Sequence, residues 1–131
     1  VKAKTERYTI CVDFDGVLHS YTSPWINAHT IPDKPVDGAI EWLFETIQKL
    51  DIVIFSTRCK TWRGRCAIRA WIKQHAQGLW YEPMGCRGIE EVKLSYKKLP
   101  ALVYLDDRAM RFTGTFPTVN EIHQAKPWNK L

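Results

Sequence analysis

An α/β domain with a mostly parallel sheet is predicted by three short apolar runs, by the helical patterns between them, and by how each run ends. Tyr8-Thr9-Ile10-Cys11-Val12, Ile52-Val53-Ile54-Phe55 and Ala101-Leu102-Val103-Tyr104-Leu105 are short and rich in β-branched and aromatic residues. Such runs read as strands buried on both faces. Each finishes in residues able to do chemistry: Asp13 and Asp15 with Gly16, then Ser56 and Thr57, then Asp106 and Asp107.

The helices follow from periodicity. Ile40, Leu43, Phe44, Ile47 and Leu50 recur at helical spacing and make an apolar stripe, with Pro35 and Asp37 suited to its first turn. Ile68, Trp71, Ile72 and His75 repeat the pattern, and Gly78 is placed to stop that helix. A fourth short strand is expected near Leu79 to Glu82, and Thr118-x-x-Glu121 has the capping-box form of a short last helix. Strands alternating with helices are the βαβ signature of a parallel sheet. The 131 residues are the size of one compact domain, read as 1–131 with an N-terminal extension over 1–7 and a tail over 126–131.

Composition excludes several classes. With 45% hydrophobic and 25% charged residues, and six Trp, five Tyr and five Phe to fill a core, the chain reads as an ordinary globular protein. No apolar run approaches the ~20 residues of a membrane span, so no membrane partner is expected. The charged start and the early stop at Asp13 argue against a signal peptide. Cys11, Cys59, Cys66 and Cys86 lack zinc-ligand spacing, so they read as structural thiols in a reduced, cytoplasmic setting. A formal charge of +5 suits polyanionic partners without requiring them.

The carboxylates carry the functional argument. Ligands of open α/β sheets bind beyond the carboxyl ends of the strands, near the switch in strand order. The acidic strand ends therefore share one rim, and if the first and last strands are neighbours, three or four of the carboxylates of Asp13, Asp15, Asp106 and Asp107 converge closely. Like charges packed together repel, and a divalent cation relieves them. Magnesium suits such a site, because it takes one or two carboxylates with waters and phosphate oxygens. Taken singly, Asp15-Gly16 is a common turn dipeptide and Asp106-Asp107 a plausible solvated strand end. The combination at two strand ends is hard to explain structurally.

Asp13-Phe14-Asp15-Gly16-Val17 resembles the first motif, D-x-D-G-[TV], of the haloacid dehalogenase-like (HAD) phosphohydrolases. Ser56 resembles their second motif, and Asp106-Asp107 their acidic fourth. Lys98 is the best placed of Lys93, Lys97 and Lys98 for the third. The resemblance spans about residues 8 to 112 with the motifs in order. Phe-Asp-Gly-Val-Leu-His-Ser-Tyr and Tyr-Leu-Asp-Asp-Arg-Ala-Met-Arg-Phe are also similar to small bacteriophage-type HAD hydrolases, which would place the protein in the host cytoplasm.

The resemblance implies a Rossmann-like domain and a magnesium-dependent phosphatase. Asp13 would attack phosphorus and form an aspartyl-phosphate, with Asp15 as acid and then base. Asp13, the Asp15 backbone carbonyl, Asp106 and Asp107 would hold magnesium, while Ser56 and Lys98 would balance the phosphate. Gly16, Thr57 and Arg58 are further candidate substrate contacts. The interval Val17 to Lys34 has room for a flap but not a cap domain, which predicts an open site. Arg58 to Arg69 holds five basic residues and Trp62. That composition suits nucleotides or nucleic-acid ends, but most of it reads rather as a solvated first helical turn with Trp62 packed inward. His75 reads as a core-edge residue, and His19 reaches the site only if the flap folds back. A nucleic-acid-binding module and a different phosphotransferase are the alternatives. A monomer and a homodimer both remain open.

Overall fold

In the computed structural model, which describes residues 7–77 and 87–125, the apolar runs pair as a sheet. β1 (Thr9–Asp13), β2 (Asp51–Phe55), β3 (Lys93–Ser95) and β4 (Val103–Leu105) lie in the order β3-β2-β1-β4, with every pairing parallel. Between β1 and β2 comes α1 (Ala39–Ile47). A 3₁₀ turn over Thr57–Lys60 and then α2 (Trp62–His75) follow β2, and α3 (Val119–Gln124) comes last. The result is a parallel four-stranded sheet with flanking helices, the α/β class that the alternating pattern predicts.

The core explains why the two long patterns are helical. Ile10, Val12, Ile52 and Ile54 project to one face of the sheet, where they join Ile40, Leu43 and Ile47 of α1 and Ile68, Trp71 and Ile72 of α2 in one cluster. Cys11 and Val53 are buried on the opposite face. There the Cys11 thiol donates to the carbonyl of Leu99, in the stretch that leads from β3 to β4. Cys11, Cys59 and Cys66 are free thiols. Among the described residues no helix is long and apolar enough to cross a membrane.

Helix ends are set locally. Thr61 caps α2 by accepting from the Gly64 amide at 3.1 Å, and Thr118 caps α3 by accepting from Glu121 at 3.1 Å, as its capping box predicts. α1 starts later than expected. Gly38 precedes it at φ +82°, so Pro35 and Asp37 fall outside the first turn, and Pro35 instead forms a bridge with His19. Arg7 is no loose extension: its guanidinium donates to the Ile47 and Leu50 carbonyls at 2.8 and 3.0 Å, where α1 leaves orphan acceptors.

One strand expectation needs correction. β4 is not buried on both faces, since Val103, Tyr104 and Leu105 are all exposed. It is an edge strand paired with β1, and no described helix covers it. The described residues also hold an unexpected strand, Lys93–Ser95, whose Lys-Leu-Ser sequence has too weak a pattern to announce itself. The strand expected near Leu79 to Glu82, the Gly78 stop, Cys86 and the 126–131 tail lie outside the described residues.

Candidate functional site

Strand order creates the site. From β1 the chain steps through β2 to β3 on one side, and β4 then takes the other side of β1. At such a switch the strand ends splay and leave a crevice beyond their carboxyl edge. Val12 pairs with Leu105, so Asp106 comes level with Asp13, and Asp13 itself pairs with Phe55 just before Ser56.

Asp13, Asp106 and Asp107 each offer an oxygen within 4.8 Å of the others. The Phe14 amide donates to Asp13 Oδ1 at 2.8 Å, and the Arg108 amide to Asp106 Oδ1 at 2.9 Å. Asp107 comes against Gly16 so closely that a Cβ there would lie 2.4 Å from its Oδ2. Burial pushes the Asp13 carboxyl up to about 8, helped by its hydrogen bond with Asp107 and the charges of Asp106 and Asp107, against the opposing Phe14 amide. A carboxyl that holds its proton at neutral pH beside two others marks a site short of positive charge. An oxygen-seeking divalent cation fits that donor set, with coordination positions left over for water or phosphate.

Gly16 was expected to touch substrate. Its amide instead donates to the His19 carbonyl at 2.8 Å, and its φ of +86° belongs to glycine. What Gly16 provides is room for Asp107. Ser56 fits its expected place at the rim. It is nearly buried, its amide donates to the Ser95 carbonyl at 2.9 Å, and its Oγ accepts from the Arg58 amide at 3.2 Å. That arrangement leaves the hydroxyl proton to be donated. Thr57 is exposed at the start of the 3₁₀ turn.

Asp15 behaves differently from its neighbours. Its carboxylate lies outside the acidic cluster. Arg58 Nε donates to both its oxygens, at 3.1 and 2.9 Å, and His19 Nδ1 lies 2.8 Å from Oδ1. Burial opposes ionisation of Asp15, but these hydrogen bonds and the adjacent charge outweigh it and hold the carboxyl below the usual range.

Three expectations fail on contact geometry. Arg58 does not face a phosphate: it is 1% exposed, it donates to the carbonyls of Asn27, Ala28 and Thr30, and it lies under the Trp25 ring at 4.4 Å. Lys98 is on the Asp13 face of the sheet, but its ammonium sits over the Tyr104 ring at 4.2 Å, and among the described residues it makes no ion pair with a carboxylate. Trp62 is not packed inward; it is 71% exposed, with Lys60 and Arg63 exposed near it in the chain.

His19 is the residue that sequence reasoning undervalued. The loop does fold back: Ser20 donates to the Lys34 carbonyl and Val36 to that of Leu18, which closes a neck below residues 20–34. The available signal was the four-residue spacing from Asp15 to His19, which closes a turn on the Phe14 carbonyl. No protein-family model, curated protein or solved structure matches this chain.

Proposed function

We propose that this chain is a magnesium-dependent phosphomonoester phosphatase of the HAD-like kind, built on a Rossmann-like domain. The observation that carries this is the Asp13–Asp106–Asp107 cluster at the switch between β1 and β4, with Ser56 on the adjoining strand end. Three carboxylates at the open edge of a parallel sheet have little structural use and a direct chemical one.

In this reading a carboxylate oxygen of Asp13 attacks phosphorus as the ester oxygen departs. Asp15, in its protonated form, delivers a proton to that oxygen and is left ionised. Water then attacks the aspartyl-phosphate, Asp15 takes its proton, and phosphate leaves with Asp13 restored. The ionised state in which Asp15 is held supports the second step most directly. Asp13, Asp106 and Asp107, with the Asp15 carbonyl that the resemblance implies, would hold magnesium, which would supply positive charge to the phosphoryl group. Ser56 donates to a phosphate oxygen. With Lys98 stacked on Tyr104, charge compensation would fall to the metal rather than to an ammonium.

The substrate class we favour is a nucleotide or nucleic-acid end. Trp62 stands exposed shortly after Ser56 in the chain, next to Arg63 and near Lys60, and Trp25, over Arg58, is 46% exposed. Exposed indoles among cations stack bases and pair with phosphates. Free Cys11, Cys59 and Cys66 support a cytoplasmic setting, that of a host cell if the gene is of phage origin.

The test is phosphate release from an aryl phosphate with and without magnesium. Wild-type protein should turn over with magnesium, and Asp13→Asn should lose activity by on the order of 10³-fold or more. Nucleotides, 3′- and 5′-phosphorylated oligonucleotides and sugar phosphates then rank the substrates. If wild type and Asp13→Asn are equally inert while oligonucleotides bind, the protein is a nucleic-acid-binding module.

A further inference from the structure

Asp15 stands two residues after Asp13. In an extended chain that spacing returns a side chain to the same face. The default outcome is therefore a fourth carboxylate in the Asp13–Asp106–Asp107 cluster, where it would ligate the metal and be lost to proton transfer. The structure shows Asp15 turned aside, and the groups that turn it are unusual in being almost wholly buried.

Arg58 and His19 are 1% and 0% exposed. Arg58 Nε spans both Asp15 oxygens at 3.1 and 2.9 Å, while its Nη1 donates to three loop carbonyls, Asn27 at 3.0 Å, Ala28 at 3.1 Å and Thr30 at 2.9 Å. His19 makes the same link from the other side. Its Nε2 accepts the Asp33 amide at 3.1 Å, so its proton sits on Nδ1 and is donated to Asp15 Oδ1 at 2.8 Å. The ring is held between Phe14 and Trp71, with centroids 5.5 and 5.7 Å away. Both residues thus join Asp15 to one loop, residues 20–34. That loop is anchored further by Ser23, whose amide and hydroxyl donate to the Asp33 carboxylate at 2.8 and 2.6 Å, and by Trp71 Nε1 on the Asp33 carbonyl at 3.0 Å.

A buried ion pair adds little to stability when weighed against well-packed apolar side chains. A role in orientation accounts for it better. We propose that His19 and Arg58 are positioning residues for Asp15: they hold its carboxylate out of the metal cluster and tie that orientation to the 20–34 loop. The assignment rests on Asp15 being the proton-transfer group of the phosphatase proposed above, and it makes a second claim that needs no turnover. Release of Asp15 should let it swing into the cluster as an additional magnesium ligand.

Two measurements on the full chain separate these claims: calorimetric titration with magnesium, and steady-state phosphatase kinetics. Arg58→Lys keeps the charge but not the two-oxygen grip, and His19→Ala removes the imidazole. Both should bind magnesium more tightly, by on the order of 3- to 10-fold, because ligand charge count sets affinity. In both, kcat should fall about 100-fold with KM little changed, as for a misplaced catalytic group. His19→Asn keeps a donor at the Nδ1 position and should rescue kcat relative to His19→Ala. His19→Gln keeps a group at the Nε2 position and should not. Magnesium affinity that falls or stays the same in both Arg58→Lys and His19→Ala overturns the proposal, as does equal impairment of His19→Asn and His19→Gln. If wild type releases no phosphate from any substrate, the phosphatase assignment fails, while the magnesium titrations still decide whether Asp15 is held out of the cluster.

Discussion

Asp13 sits where burial and two neighbouring carboxylates make an anion expensive without a cation. Asp13→Asn removes one charge from that cluster and keeps the shape. It should therefore abolish turnover yet raise the melting temperature of the metal-free protein at pH 8, and the further stabilisation by magnesium should shrink. A thermal melt with and without magnesium checks both effects. Gly16 matters to the same cluster for two reasons. A Cβ would meet Asp107 Oδ2 at 2.4 Å, and φ is +86°. Gly16→Ala should cost about 1–2 kcal/mol from the left-handed backbone alone. It should also weaken magnesium binding by displacing Asp107. Urea denaturation and magnesium titration read the two effects separately.

The element that presents Ser56 is the 3₁₀ turn Thr57–Lys60 followed by α2. The two are packed so tightly that a Cβ at Gly64 would lie 1.8 Å from the Arg58 carbonyl oxygen, which is backbone and cannot rotate away. Gly64→Ala should destabilise by about 1–3 kcal/mol or more, as for overpacking. Thr61→Ala, which only removes the α2 cap, should cost about 1 kcal/mol. Equilibrium denaturation of the two variants compares them. Gly64→Ala should also reduce kcat, because it shifts the backbone that carries Arg58 and thereby Asp15, whereas Thr61→Ala should leave turnover close to wild type.

For the molecule as a whole, the cluster makes stability depend on pH in the absence of metal. The folded Asp13 carboxyl, at about 8, lies far above its ordinary value of 3.8. Between those values the native state binds more protons than the unfolded state, so stability falls as pH rises. This contribution is fully present below about 4 and is lost as pH passes through about 8. Magnesium replaces the proton, so its stabilising effect should grow over the same interval. At 100 times its dissociation constant it should add about 2.7 kcal/mol. Melting curves at pH 5, 6.5 and 8, with magnesium and with a chelator, check the trend. A magnesium shift that does not change with pH would place the cation elsewhere.

At this scale the limits of sequence are plain. The amino-acid order by itself determined the α/β class, the helices over Ile40 and Ile68, the Thr118 cap and the gathering of Asp13, Ser56 and Asp106 at one rim. Each follows from local periodicity or from the rule that parallel strands end at a common edge. Lys93–Ser95 escaped because three residues carry too little pattern, and β4 was read as buried because an apolar edge strand looks like an interior one. Tertiary structure alone decided the fate of the charged side chains. Nothing in the order of residues shows that Arg58 turns inward to Asp15 and three loop carbonyls, that Lys98 settles on Tyr104, or that Trp62 faces outward. A strand end sets where a backbone stops, whereas a long side chain goes to whichever partner the fold brings within about 3 Å of it.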